Sequence, residues 1–343
     1  MNQRISVFAR AILLIAPLLL LLSPRAFAFS RVGHETIADL AYQSPDLTPK
    51  AKAAIDALLA GADPLHPGQN QTIADAAEWP DEIKSPFGVY SKETWAVAFR
   101  AAHPEHGKWH FVNFPVGSTK YDPEKKKADG TAYADGPNIV MAVQGCVAVL
   151  EGKGTFDGLT KLDALRYLVH LVGDAHQPLH TINGYFDIAD PTKPTLYKGT
   201  KKIPATAWAD SGGNNLYYQD DDKHELHAMW DADIVNAIAG EDTGKLVTAL
   251  TSSVAAKNYP SKGDYHDWII EWVSDSMVQA KEAYKPIVFN KVVTFPNGTS
   301  TTQGISITLP STYIQDQVPV LKLQIIKGGT HLLQLFNAIQ WQP

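Results

Sequence analysis

The chain has 343 residues, of which 45% are hydrophobic and 19% charged, enough for one large core or two ordinary domains. Thirty Lys and Arg against 36 Asp and Glu leave a formal charge of -6, so the sum carries no basic footprint for nucleic acid. The one cysteine, Cys146, excludes an internal disulfide and sits in an apolar stretch as a small buried hydrophobe.

Residues 1–28 read as a secretory signal peptide. Arg4 and Arg10 precede the apolar run Ala11–Leu22, which is too short to span a bilayer, and Ser23-Pro-Arg-Ala-Phe-Ala28 ends in a small-x-small cleavage pattern. The expectation is a secreted or periplasmic protein with no stable membrane association once the leader is removed. Removal takes away Arg4, Arg10 and Arg25 and no acid, so -6 becomes -9. It also leaves Phe29 with a free α-amine, five residues before His34, and such an amine has a reference pKa of about 8, so it can bind metal once deprotonated.

Downstream, Thr48–Leu59 has a Thr cap, Pro in its first turn and Gly61 beyond its end, the pattern of a helix. Asp81 follows Glu78-Trp79-Pro80, and His110 stands in Lys108-Trp-His-Phe-Val-Asn113; alone, these read as a turn residue and a core histidine. Apolar positions recur at helical spacing in Asn138–Leu150, Lys161–Leu171, Leu226–Ala239, Thr243–Ala256, His266–Tyr284 and Val320–Ile339. Two stretches break the pattern. Residues 183–210, rich in Pro and Gly, and residues 288–310 read as surface excursions, the second a β-hairpin turning at Asn297-Gly298. Asn70 and Asn297 begin glycosylation sequons, which matter only in a eukaryotic source. The predicted architecture is all-α: a single helical domain over 29–343 with a small β-hairpin-like insertion.

The chemistry concentrates in His170-Leu-Val-Gly-Asp174-Ala-His-Gln-Pro-Leu-His180 and its echo His227-Ala-Met-Trp-Asp231. Residues four apart stack on one helix face, so His170 with Asp174, and His227 with Asp231, can each close on one cation. Imidazole and carboxylate suit zinc, which keeps a coordination position open in catalytic sites. One such pair is usually an ordinary hydrogen bond; two pairs with His180 between them point to metal. His176, two residues after Asp174, faces elsewhere and reads as a supporting or surface histidine, and His103, His106, His224 and His331 carry no assignment.

Taken together, Gly-His near the mature terminus, Trp-x-Asp, His-Phe, His-x3-Asp-x5-His, Gly212-Gly-Asn214 and His-x3-Asp resemble the mung-bean-type zinc-dependent single-strand nucleases, in a superfamily with bacterial zinc phospholipase C. The resemblance runs from Phe29 to the C-terminal helix. It implies an all-α fold around a trinuclear zinc site: Asp81, His110, His170 and Asp174 on one ion, His180, His227 and Asp231 on a second, and the amine and carbonyl of Phe29, His34 and a bridging Asp174 on the third. Phe111 is then expected to stack on a base and Asn214 to hydrogen-bond its edge. The chain departs from the family's usual residues at Phe29-Ser30, Asn113, Pro115 and Ser118.

Three zinc ions would add six positive charges against three ligand aspartates, leaving the pocket near roughly +3 on an acidic protein. The expected reaction is hydrolysis of single-stranded DNA and RNA, with water activated between two zincs and a 5′-phosphate and 3′-hydroxyl as products. Hydrolysis of 3′-nucleotides is expected too, by a monomer. The alternatives are a phospholipase C and a non-catalytic zinc-binding protein.

Overall fold

The computed structural model describes residues 29–342 apart from 86, 87, 135, 199–202, 298 and 299. The expected leader 1–28 and the expected hairpin turn at Gly298 therefore lie outside the described residues. In chain order the helices are α1 (Ser30–Tyr42), α2 (Pro49–Leu59), α3 (Ile73–Lys84), α4 (Thr94–Ala102), α5 (Ile139–Leu150), α6 (Lys161–His176), α7 (Leu226–Ala228), α8 (Ile234–Ala239), α9 (Thr243–Leu250), α10 (Trp268–Tyr284) and α11 (Tyr313–Ala338). Short strands β1 (Phe114–Pro115), β2 (Ile182–Asn183), β3 (Tyr185–Asp187), β4 (Thr195–Leu196), β5 (Trp208–Ala209) and β6 (Leu216–Tyr217) join the hairpin strands β7 (Val288–Asn297) and β8 (Ser300–Thr308). The expected mainly helical fold is the one observed.

Local chemistry starts the helices that matter. Thr72 and Asp75 form a capping box at α3, and Thr160 and Asp163 form another at α6, each satisfying backbone donors that the first turn leaves open. Helix α6 is buried along its length from Ala164 to His176, packed by α3, α5, α1, α10 and α11. That position explains why it extends five residues beyond Leu171: tertiary packing, not periodicity, carries its last turn. Gly173 lets α1 approach α6 closely, since a Cβ there would lie 2.6 Å from the His34 ring.

Helix α11 begins earlier than Val320, tolerating Pro319, whereas α9 stops at Leu250 and passes into a 3-10 turn. The segment expected as one helix from Leu226 to Ala239 carries a π-helical turn at Met229–Asp233.

The hairpin is present, with β7 and β8 antiparallel and β8 pairing β6 in parallel through Leu216↔Ile305 and Tyr217↔Ser306. The 183–210 stretch is the expected surface excursion only in part: residues 189–193 are exposed, but its ends are tied into the body. Strands β4, β3 and β5 form a three-stranded sheet, and Asn183, Tyr185, Phe186, Ile203 and Asp210 are buried. Phe186 meets Phe289 edge to face at 4.9 Å, so the two irregular stretches cover one another. Among the described residues no helix is long and apolar enough to cross a membrane.

Candidate metal centre

Four helices, two 3-10 turns and a π-helical turn deliver the predicted side-chain ligands. Asp81 lies in the last turns of α3, His110 at the end of a 3-10 turn before β1, and His170 and Asp174 on one face of α6. His34 comes from α1, His180 from the turn after α6, His227 from α7 and Asp231 from the π turn. These side chains gather into three groups able to hold a cation: His34, His170 and Asp174; Asp81, His110 and His170; His180, His227 and Asp231.

Asp174 is the hub. Its Oδ1 lies 3.4 Å from His34 Nε2 and 3.1 Å from His180 Nδ1, and its Oδ2 lies 2.9 Å from His110 Nδ1 and 3.1 Å from His170 Nε2. The His34 and His170 rings stack at 3.8 Å. His227 Nε2 is 3.3 Å from Asp231 Oδ2.

Backbone carbonyls choose the ligand atoms. His170 Nδ1 donates to Ala77 O at 2.6 Å, and His227 Nδ1 to Gly212 O at 2.8 Å, which turns each Nε2 toward the carboxylates. Gln177 caps α6 and donates to Asp231 Oδ1 at 2.7 Å, aiming that carboxylate. The donor set fits zinc: imidazoles and carboxylates, with His110 Nε2, His180 Nε2 and Asp81 Oδ2 buried and lacking a hydrogen-bond partner among the described residues.

Electrostatics agree with cation binding. Burial, with the Lys84 charge second, holds His110 down to about 3, and burial likewise lowers His34 and His227, so these imidazoles are neutral near pH 7 and offer lone pairs. Burial opposes charge on His170 and His180 as well, but Asp174 and its neighbouring carboxylates outweigh it and raise both. Asp174 itself is held well below the carboxylate range against the cost of burial, chiefly by His170 and His180. Metal binding at such a site displaces those protons.

The cluster opens on a cleft of about 280 Å³ lined by His110, His180, His227 and Asp231 and, beyond them, by Phe111, Asn214 and Lys84. Phe111 is half-buried and lines this cleft, not the core. Asn214 is half-buried there too, its Nδ2 donating to Ser211 O at 2.7 Å. Phe29 is fully buried in a left-handed conformation at the start of α1, its ring edge-on to His34 at 5.8 Å.

Sequence reasoning missed Lys84, whose Nζ sits 2.6 Å from Asp81 Oδ1 at the cleft wall; the i,i+3 spacing from Asp81 was a usable signal. It also missed Gln177 as a carboxylate anchor. His176 is not a ligand: it is buried, its Nδ1 donates to Val172 O at 2.7 Å, and its Nε2 meets His331 Nδ1 at 2.7 Å.

The family model described as S1/P1 Nuclease matches residues 29–340. Among curated proteins, Nuclease S1 of Aspergillus oryzae is 24% identical over 341 residues, covering 94% of this chain and 96% of its own length. Nuclease P1 of Penicillium citrinum is 25% identical over 325 residues (90% and 96%), and Endonuclease 1 of Arabidopsis thaliana 22% identical over 269 residues (76% and 73%).

Proposed function

The chain belongs to the S1/P1 nuclease family, and on that premise we propose that it is an exported, monomeric enzyme with three zinc ions that cuts single-stranded DNA and RNA to 5′-phosphate products and also acts on 3′-nucleotides. The observation that carries this reading is the convergence of three ligand groups around one buried carboxylate, Asp174, behind an open cleft lined by His110, His180, His227 and Asp231.

These groups would hold zinc, which would lower the pKa of water and stabilise charge developing on phosphoryl and leaving oxygens. The chain's own residues do the rest. Asp174 links the ligand groups through its four imidazole neighbours, and Gln177 fixes the Asp231 carboxylate. Lys84 places an ammonium at the wall where a phosphodiester must enter, and Phe111 offers a ring for stacking, a sequence-tolerant contact of about 1–3 kcal/mol per base. Asn214 supplies an amide for a base edge. A recessed cluster admits flexible strands with splayed bases more readily than a stiff duplex. We assign the three ions as in the ligand sets expected from the resemblance, with the freed amine of Phe29 completing the His34 group.

The test is a zinc count on the processed protein followed by three parallel assays: mononucleotides from a single-stranded oligonucleotide, mononucleotides from the same sequence as a duplex, and phosphocholine from phosphatidylcholine. The reading requires fast release from the single strand alone. Preferential release of phosphocholine would replace it with a phospholipase, and full zinc occupancy with no hydrolysis of any substrate would make the centre a binding site.

A further inference from the structure

The loop before His227 contains a buried acid that belongs to none of the three ligand groups. We infer that Asp210 is a positioning residue that shapes the Ser211-Gly-Gly-Asn214 turn into the nucleoside-contacting edge of the cleft, a statement that rests on the nuclease reading above.

Asp210 is fully buried, and its named partners are donors. Its Oδ1 accepts the backbone N–H groups of Gly184 at 2.9 Å and Gly213 at 3.2 Å, and its Oδ2 accepts the Tyr284 hydroxyl at 2.8 Å. The approach is close enough that a Cβ on Gly184 would lie 2.2 Å from Oδ2. Burial raises the carboxyl to about 6, while Tyr284, Gly184 and Gly213 pull it back. A buried carboxylate is costly unless the groups it satisfies matter, and here they set an unusual backbone.

That backbone has three successive residues at positive φ: Ser211 at 57°, Gly212 at 65° and Gly213 at 90°. Such a run persists only where its surroundings over-determine it. Asn183 Oδ1 accepts the Gly212 N–H at 3.1 Å, Asn215 N–H donates to Asp210 O at 3.0 Å, and β6 just beyond is clamped by β8. The held turn presents Ser211, Gly212 and Asn214 to the cleft that Phe111 also lines. Asp210 thus acts on a nucleoside through the turn and, among the described residues, has no contact of its own with the ligand groups, although the Gly212 carbonyl of that turn also accepts the His227 Nδ1 proton at 2.8 Å.

The test uses the zinc-loaded, full-length processed chain and measures binding of thymidine 5′-monophosphate and of deoxyribose 5-phosphate by calorimetry, together with zinc content. Compared at equal zinc per chain, because the Gly212 carbonyl also holds His227, Asp210→Ala should weaken the nucleotide about tenfold or more and the sugar phosphate less than about threefold. Asp210→Asn keeps an amide oxygen for Gly184 and Gly213 and should bind the nucleotide within about threefold of wild type. Equal weakening of both ligands, an unchanged nucleotide affinity, or a wild type that does not distinguish the two ligands overturns the inference. If Asp210→Ala does not fold, Tyr284→Phe removes one donor and should give the same ordering at about threefold; equal weakening there is likewise fatal. A failed nuclease reading is recognised separately, by a wild type that does not cut single strands, and the binding comparison stays decisive.

Discussion

Asp174→Asn is the sharpest perturbation of the centre. The carboxylate has four imidazole nitrogens within 3.4 Å, from His34, His110, His170 and His180, and belongs to the group built on His34. An amide of the same shape keeps the packing of α6 but presents a neutral oxygen and two N–H donors to nitrogen lone pairs. Removing one charge from a buried, compensated set costs about 3–5 kcal/mol. At about 1.4 kcal/mol per decade this is a loss of roughly two to nearly four decades in affinity for the ions it contacts. Zinc per chain, measured by plasma mass spectrometry after dialysis against buffered zinc, should fall by at least one ion. Cleavage of a single-stranded oligonucleotide should disappear, while far-ultraviolet circular dichroism of the metal-free protein matches wild type. Wild-type zinc content and near-normal cleavage in the Asp174→Asn protein would refute the bridging role.

Two further outcomes follow from the same geometry. Protein retaining residues 1–28, or carrying an added N-terminal Met before the buried Phe29, should bind one zinc fewer by native mass spectrometry than protein beginning at Phe29 and lose most activity; equal zinc in both forms removes the α-amine from the ligand set. Burial, then the charges of Lys84 and His103, lowers His106 from 6.5 to about 4. The neutral imidazole is therefore favoured in the fold: its contribution is complete above pH 6.5 and is lost as pH falls toward 4, because the unfolded chain takes up the proton first. The size is roughly 3 kcal/mol. Chelator-treated His106→Phe should show a flatter urea midpoint between pH 6.5 and 4 than chelator-treated wild type, and parallel curves would show that His106 does not titrate as described.

The two helical His–Asp pairs of the candidate centre were legible because their signal is local. His170 with Asp174 and His227 with Asp231 carry the four-residue spacing of a helix, and the cap at Thr48 marks a helix start. What escaped was long-range. Asp210 and Tyr284 are 74 residues apart, and nothing in either neighbourhood announces the bond. The 183–210 stretch reads as loop because Pro191, Pro194 and Pro204 interrupt it, yet Phe186 is buried against Phe289 of the hairpin and Tyr185 against Tyr133. The π turn at Met229–Asp233 leaves no mark in a pattern of apolar residues, although it sets how Asp231 faces His227.

Lys84 stands where metal loading would bear on an incoming anion. Its ammonium is 2.6 Å from Asp81 Oδ1, and the carboxylate is also 3.6 Å from His170 Nε2 and 3.7 Å from His110 Nδ1. Burial would raise the Asp81 carboxyl, but Lys84 first, then His170 and His110, pull it below the ordinary range, so its charge is the common counter-ion of the group. A divalent cation taken up by Asp81, His110 and His170 satisfies that charge at contact distance, and the lysine's own charge is then no longer offset. With the lysine on the cleft wall, it faces whatever anion enters. A processed chain of net charge -9 would in this way draw a polyanion to one spot while repelling it elsewhere, an attraction that filling the centre would strengthen.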